Sequence, residues 1–531
     1  MTGAFLVTIL AAIVGLTLIA KKVGVPYPVV FVVGGLALAL IPGVPRIALQ
    51  PDLVFLLFLP ALIFGDGWTT DYHSFKRYRQ PIFMLALGLV AFTSLIVALV
   101  AHWMMGFPLA LGFVLGAILS PTDAVAADAI AEAVGLPRRL MTIIGGESLV
   151  NDATGLVIYR FAVNAVLFGT FSLLVATASF FYVVIGGVAI GLAVAWAIAK
   201  ITVAIRKAGL GDPLIAVSIS LVTPFALYVP ADALHASGVL AAMTGGIYLS
   251  RKSAQLFDAD GRLAAASVWN LLFFVFNGAA FVLIGLQLRG IVRGLSQYSL
   301  WTLIGWSVAI ALVVIAVRYV WMFPATYGRR RLFPKIRERE GPDPPWRWVF
   351  VLATAGMRGI VSLAAALALP EFVAPGVPFP QRDLILFITF VVILVTLVGQ
   401  GLALPWLIRT WNIKDAEDGE RVTAAARVRV AQSVREHLRT LEATFESTAE
   451  WEIAGRLHAD YEQRVTHYTA HADGLEPQDD ARMHEIERRL RREAYDAERR
   501  VLQRMRRDGD LTDDVYRHLE WDLDLAESRL E

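Results

Sequence analysis

The chain has 531 residues, of which 56% are hydrophobic and 18% charged, and its formal net charge is only +2. Repeated apolar runs of about 20 residues are bilayer spans, and no soluble domain of this size needs so much apolar sequence. The absence of cysteine excludes disulfides, cysteine-ligated zinc and iron–sulfur clusters, and the near-neutral balance gives no reason to expect a nucleic-acid partner.

The opening, MTGAFLVTIL, lacks the basic segment and cleavage site of a leader and reads as a first span. Thirteen spans follow the apolar runs, at roughly 4–20, 27–43, 52–68, 81–103, 109–131, 140–166, 172–203, 213–229, 235–250, 266–288, 299–324, 347–370 and 383–409. Alternate loops carry Lys21 and Lys22; Lys76, Arg77 and Arg79; Arg138 and Arg139; Arg206 and Lys207; Arg251, Lys252 and Arg262; and the run from Arg329 to Arg339. The other loops hold only Arg46, Arg289, Arg293 and Arg382. The positive-inside rule makes the first set cytoplasmic. The N-terminus is then outside and the C-terminus inside, which requires an odd number of spans. The expected fold is all-α: a polytopic membrane domain over 1–411 and a helical cytoplasmic domain over 412–531.

Two spans contain breaks. The fifth carries Ser120-Pro121-Thr122-Asp123 in mid-membrane, and the twelfth carries Gly356-Met357-Arg358-Gly359 at similar depth. Seven spans separate them, so the two helices run in opposite directions. This is the pattern of inverted repeats whose broken helices cross at the midplane. Asp123 and Arg358 suit the neutralisation of opposed half-helix ends.

Between these breaks lies Gly145–Tyr159, GGESLVNDATGLVIY, which places Glu147, Ser148, Asn151 and Asp152 within an apolar helix. Ionisable groups at that depth mark ion or proton pathways. At 3.6 residues per turn Ser148 and Asp152 share one face, and Glu147 and Asn151 share the adjoining one. A hydroxyl above a carboxylate offers the oxygen ligands that hard cations prefer. Arg358 needs a carboxylate partner, and Glu147 is the best placed, so this pair is expected to be a structural salt bridge. Asp152 is left for transport chemistry. A proton and a monovalent cation would compete for its carboxylate, and competition combined with alternating access is antiport. If Asp152 alone titrates, the exchange is one for one and electroneutral. Arg160, two turns on, is expected to bind a helix carbonyl, and Asp128 and Glu132 could draw cations to the inner mouth.

SPTDAVA in the fifth span, GGESLVNDATGLV in the sixth and AGMRGIVSLAAALALP in the twelfth resemble the cation:proton antiporter family, CPA1 branch. LPALIFGDGW, GVLAAMTGGIYLSRK and NGAAFVLIGLQL are similar to its bacterial members. The resemblance covers about residues 5–410. It implies a thirteen-span fold of inverted six-helix repeats, with an ion-translocating core domain and a homodimerisation domain in a cell membrane. It also implies that the Asn151-Asp152 pair marks electroneutral exchange, and it carries the ion site onto Asp152, Asp123, Ser148 and Thr122, with Glu147 paired to Arg358. Sodium is the implied cation, with potassium or lithium as alternatives; no cofactor is implied. Some relatives have an acid where this chain has Gly65, which makes the neighbouring Asp66 a further candidate ligand or gate.

The tail is charged and helical in pattern, divided at Gly474, Pro477 and Gly509. Met483, Ile486, Leu490, Ala494, Ala497, Val501 and Met505 form an apolar seam suited to a coiled coil or to packing within the tail, with regulation or assembly as the expected role. A cation channel would need a repeated filter sequence, and none is visible. A membrane sensor with a vestigial ion site would not need the intact set of charged residues.

Overall fold

The computed structural model describes residues 3–41, 54–123, 125–127, 129–130, 135–169, 173–287, 291, 295, 297–332, 343–374, 376–413, 419–442, 447–473, 478–508, 511 and 513–528. Arg46, Asp128, Glu132, Arg289, Arg293, the basic run over 333–342, Gly474, Pro477 and Gly509 lie outside them. The chain separates into two compact units, Met1–Lys414 and Asp415–Glu531.

The first unit is a bundle of apolar helices. Among the described residues six are long and apolar enough to cross a membrane: Tyr72–Met105, Thr177–Lys207, Pro213–Ala233, Ala259–Leu286, Leu300–Leu332 and Arg382–Thr410. Tyr27–Leu40, Leu56–Thr69, Leu109–Leu119 and Gly238–Ser250 are apolar but shorter. Lys76, Arg77 and Arg79, expected in a loop, stand in the first turns of the helix that starts at Tyr72. One small departure from an all-α chain is an antiparallel pair, Phe372–Ala374 with Val377–Pro378.

Both expected breaks are present. Leu109–Leu119 stops at Ser120, and helical backbone resumes at 125–127. Pro121 has no N–H to return to the Ala117 carbonyl four residues back. The Ser120 hydroxyl takes that place, donating to Ala117 O at 3.1 Å. The second broken helix consists of Trp346–Thr354 and Ile360–Leu367, separated by Ala355 to Gly359. The two irregular stretches meet directly: the Asp123 amide donates to the Met357 carbonyl at 2.8 Å. The 31-residue helix Arg138–Phe168 packs against Leu109–Leu119 and against both halves of the second broken helix. Around this crossing lies a fully buried apolar shell that includes Leu115, Ile118, Leu119, Leu363, Ile385 and Phe390.

In the second unit, Gly419–Leu441 pairs with Thr448–Asp473, and Gln478–Arg507 pairs with Asp513–Ser528. Small residues let the first pair close, since Ala424, Ala431 and Ala454 are buried at the contact. In the second pair Arg499 bridges to Asp524 and to Glu527, the latter at 3.0 Å. The apolar seam is only partly covered, with Leu490 and Val501 remaining 54% and 50% exposed.

Candidate ion site

Four helix ends converge at the crossing, and each irregular stretch supplies one charge to them. Asp123 Oδ1 accepts from the amides of Val125 at 3.0 Å and Ala126 at 3.4 Å, at the start of the resumed helix. The same carboxylate lies over Gly359, which caps the start of Ile360–Leu367. A Cβ at Gly359 would fall 1.6 Å from Asp123 Oδ2, so only glycine admits this approach. One carboxylate therefore stands at the positive ends of both second halves. Arg358 serves the opposite pole. Its Nε donates to the Leu119 carbonyl at 3.0 Å, at the end of the first half-helix, and its Nη1 donates to the Gly356 carbonyl. Those carbonyls have no intrahelical donor.

The helix Arg138–Phe168 holds the fifth-span break through Thr122. Ser148 Oγ donates to the Thr122 carbonyl at 2.7 Å, and Asn151 Nδ2 donates to Thr122 Oγ1 at 2.7 Å. Glu147 does not pair with Arg358. Its carboxylate receives Nη1 and Nη2 of Arg318, the latter at 2.8 Å, in a two-pronged bridge between side chains only 1% and 2% exposed. Arg318 also donates to the carbonyls of Ala353 and Leu352, both at 3.1 Å. The correction has a simple cause: the Arg358 guanidinium is taken up by half-helix carbonyls, whereas Arg318 presents its planar fork to the carboxylate.

Asp66, Asp123 and Asp152 line one small cavity of about 40 Å³, together with Thr122, Ser148 and Asn277. Asn151 is not among the described lining residues; its Nδ2 is given to Thr122, and its buried Oδ1 has no hydrogen-bond partner among the described residues. Asp152 Oδ1 and Asp123 Oδ2 are enclosed and have no hydrogen-bond partner among the described residues. Because a water needs roughly 10–15 Å³ of such space, the cavity has room for a small cation and a water or two. Among the described residues no basic side chain lines it. Carboxylates, hydroxyls and an amide set in an otherwise apolar wall, in a cavity too small for an organic substrate, suit a proton or a hard monovalent cation. The step from Gly65 to Asp66 is also explained. A Cβ at Gly65 would lie 2.0 Å from the Phe273 ring, so position 65 admits no side chain and position 66 carries the acid to the cavity.

The family model for the transmembrane sodium/hydrogen exchanger domain matches residues 8–410. The chain belongs to this family. The exchanger is 34% identical over 391 residues to a sodium, potassium, lithium and rubidium/proton antiporter of Bacillus pumilus, a match covering 72% of this chain and 58% of that protein. It is 31% identical over 502 residues to the antiporter of the same description from Bacillus subtilis, covering 92% and 72% of the two chains. In fold it is similar to the sodium/proton antiporter of Methanocaldococcus jannaschii, with a TM-score of 0.56 and 20% identity over 76% of this chain and 97% of the other. The exchanger is thus a multi-pass membrane transporter and not an enzyme.

Among the described residues of the site, Arg318, Asn277 and Ser362, whose buried hydroxyl also lines the cavity, were not singled out from the sequence. Arg318 sits in the apolar run of Leu300–Phe323, and an arginine at that depth was itself a signal that a carboxylate must lie opposite. Asn277, 8% exposed, gave no such signal, because lone amides are common in membrane helices. Arg160 does not bind a helix carbonyl; it pairs with Asp232 at 3.3 Å on an exposed face.

Proposed function

We propose that the exchanger moves sodium and protons in opposite directions by alternating access, one for one and electroneutrally, with Asp152 as the carboxylate for which they compete. The observation that carries this reading is the convergence of Asp66, Asp123 and Asp152 on one enclosed cavity at the crossing of two interrupted helices, with acceptor oxygens unpartnered. Asp123 is committed by hydrogen bonds to helix-start amides, whereas no ion pair or hydrogen bond of that kind engages Asp152 Oδ1. Ser148 and Thr122 complete the oxygen set, Asn151 positions Thr122, and Asp66 stands at the mouth as ligand or gate. Thirteen crossings as inverted repeats, an external N-terminus, a homodimer in the cell membrane, a regulatory tail, and a service to sodium and pH homeostasis belong to the same reading. Potassium is the alternative cation, favoured by the breadth of ions in the names of the two Bacillus relatives.

The test is exchange in proteoliposomes carrying an internal pH dye, with sodium and then potassium added and the membrane potential clamped or free. Cation-driven pH change that ignores potential and is lost in Asp152→Asn supports the reading. A potential-dependent rate would remove electroneutrality, and full activity of Asp152→Asn would remove the site. Direct competition also sets a pH law: in the acid range the apparent KM for the cation should rise about tenfold per pH unit, with the maximal rate at saturating cation unchanged.

A further inference from the structure

Away from the ion site, a cavity of about 410 Å³ opens among the helix that begins at Tyr72, the first turns of Arg138–Phe168, the segment after Met322 and the helix Trp346–Thr354. Its described lining residues include Lys76, Arg77, Arg79, Arg139 and Arg330, and among these described residues there is no carboxylate. Arg330 is 5% exposed and is paired with Asp343 at 3.3 Å. Arg77 and Arg139 stand 5.6 and 5.4 Å from the Tyr78 ring, which holds both guanidiniums at the cavity. Two helices also begin here. Arg138–Phe168 and Trp346–Thr354 each follow a proline and have neither a side-chain cap nor an acid in the first turn. Clustered cations and two helix starts without a side-chain cap make a place suited to an anion. The rest of the lining is a largely apolar floor, with half-buried Met84 and Trp348 beside the buried Leu85, Ile143, Met322 and Leu352.

We propose that this cavity binds the phosphate headgroup of an anionic phospholipid, with the acyl chains lying along the apolar floor. Free phosphate or a nucleotide would leave that floor uncovered, and Tyr78, the ring a base would stack on, is already flanked by arginines. The bound lipid braces the ion site from outside. Ile143 lies one turn before Glu147, and the Leu352 carbonyl at the other wall is one that Arg318 grips. Both members of the buried Glu147–Arg318 pair thus rest on elements that the lipid touches.

The experiment reads binding and not transport, so it stands apart from the proposed exchange. The full-length protein in neutral detergent is titrated with phosphatidylglycerol, with phosphatidylcholine as control, and bound lipid is counted by native mass spectrometry. Inorganic phosphate and ATP are the competitors. Removing two cations of the lining, in Arg77→Gln with Arg79→Gln, should weaken phosphatidylglycerol binding roughly tenfold. The lysine pair at the same positions should bind within about threefold of wild type, since it keeps the charge. Removing Arg206 and Lys207, a matched pair at the end of Leu173–Lys207 and outside the cavity, should leave binding unchanged. Equal losses in the two glutamine pairs would overturn the site in favour of general surface attraction. Equal binding of phosphatidylcholine by wild type would overturn headgroup recognition, and needs no variant to fold. Displacement by millimolar phosphate or ATP alone would overturn the lipid in favour of a soluble anion.

Discussion

Removing the Arg318 guanidinium tests the frame of the ion site. In Arg318→Gln, Glu147 loses both prongs of its bridge while remaining almost wholly buried. The carbonyls of Leu352 and Ala353 lose their donor in the same step. Breaking a buried pair from one side costs about 3–5 kcal/mol because an uncompensated charge stays behind; two unpaired carbonyls add about 1–3 kcal/mol each if no water reaches them. Glu147→Gln leaves the arginine stranded and should be costly for the same reason. The double variant strands neither charge, though the two carbonyls still lack the arginine, so its loss should fall short of the sum of the two single losses by a coupling energy of about 2–3 kcal/mol. Equilibrium unfolding in mixed micelles, titrated with SDS and followed by tryptophan fluorescence, gives the four stabilities of the cycle. The parallel cycle between Glu147 and Arg358 should couple by less than about 1 kcal/mol, because Arg358 donates to carbonyls and not to Glu147. Equal couplings in the two cycles, or a larger one with Arg358, would refute the pairing and restore the one expected from sequence.

Gly359→Ala places a methyl where Asp123 Oδ2 now lies, and displacing that carboxylate by an ångström or more should lower exchange by about 100-fold; Gly145→Ala, which meets nothing within 4 Å, should exchange normally. Asn151→Ala releases Thr122 from its 2.7 Å tether, and the loss of one such bond should raise the KM for sodium about fivefold while leaving the exchange ratio at one. Asp71 caps the helix start at Tyr72, accepting from the His73 amide at 2.9 Å. Its carboxyl is held below the ordinary range, chiefly by a hydrogen bond from the Ser74 side chain. A lowered carboxylate stabilises the fold above its unfolded value and loses that contribution as pH falls through the folded one. Hydrogen-exchange protection at residues 73–75, corrected for intrinsic rates, should therefore be flat from pH 7 to 5 and fall only below about pH 4, whereas Asp71→Ala should lack it throughout.

The sequence was most legible where chemistry is local. Pro121 in an apolar run forces a break, and glycines around Arg358 permit one, so both interruptions could be placed within a residue or two. The acids of Arg138–Phe168 announced themselves by depth. Partner choice was not legible, because it depends on which of two buried arginines finds carbonyls and which finds a carboxylate. Arg318 and Glu147 are 171 positions apart, and no periodicity connects them. Similarly, that Asp66 reaches the cavity depends on the Phe273 ring closing position 65, a contact between distant helices. The tail seam shows the limit of heptad reasoning: apolar spacing indicated a face, but Leu490 and Val501 are left half exposed on it.

The charges at the crossing divide into fixed and exchangeable ones, and the division bears on the proposed mechanism. Arg318 and Glu147 neutralise each other. Arg358 answers the negative end of Leu109–Leu119, and Asp123 answers the positive starts of the two second halves. These four charges are fixed in the frame, and changing any of them leaves a backbone pole or a buried partner charge bare in a medium of low dielectric. Asp152 answers no helix end. In the proposed mechanism its compensation comes from outside the protein, as a proton or as a cation. An empty, ionised Asp152 enclosed away from water is costly, so the site is stable only when loaded with one or the other. On this account tight coupling needs no separate gate against slippage. It follows that Asp152→Asn, which removes the need for any compensation, should abolish exchange while leaving the fold as stable as wild type or more so, whereas Asp123→Asn should weaken the fold as well. If unfolding measurements ranked the two variants the other way, Asp123 would be the exchangeable acid and Asp152 the structural one.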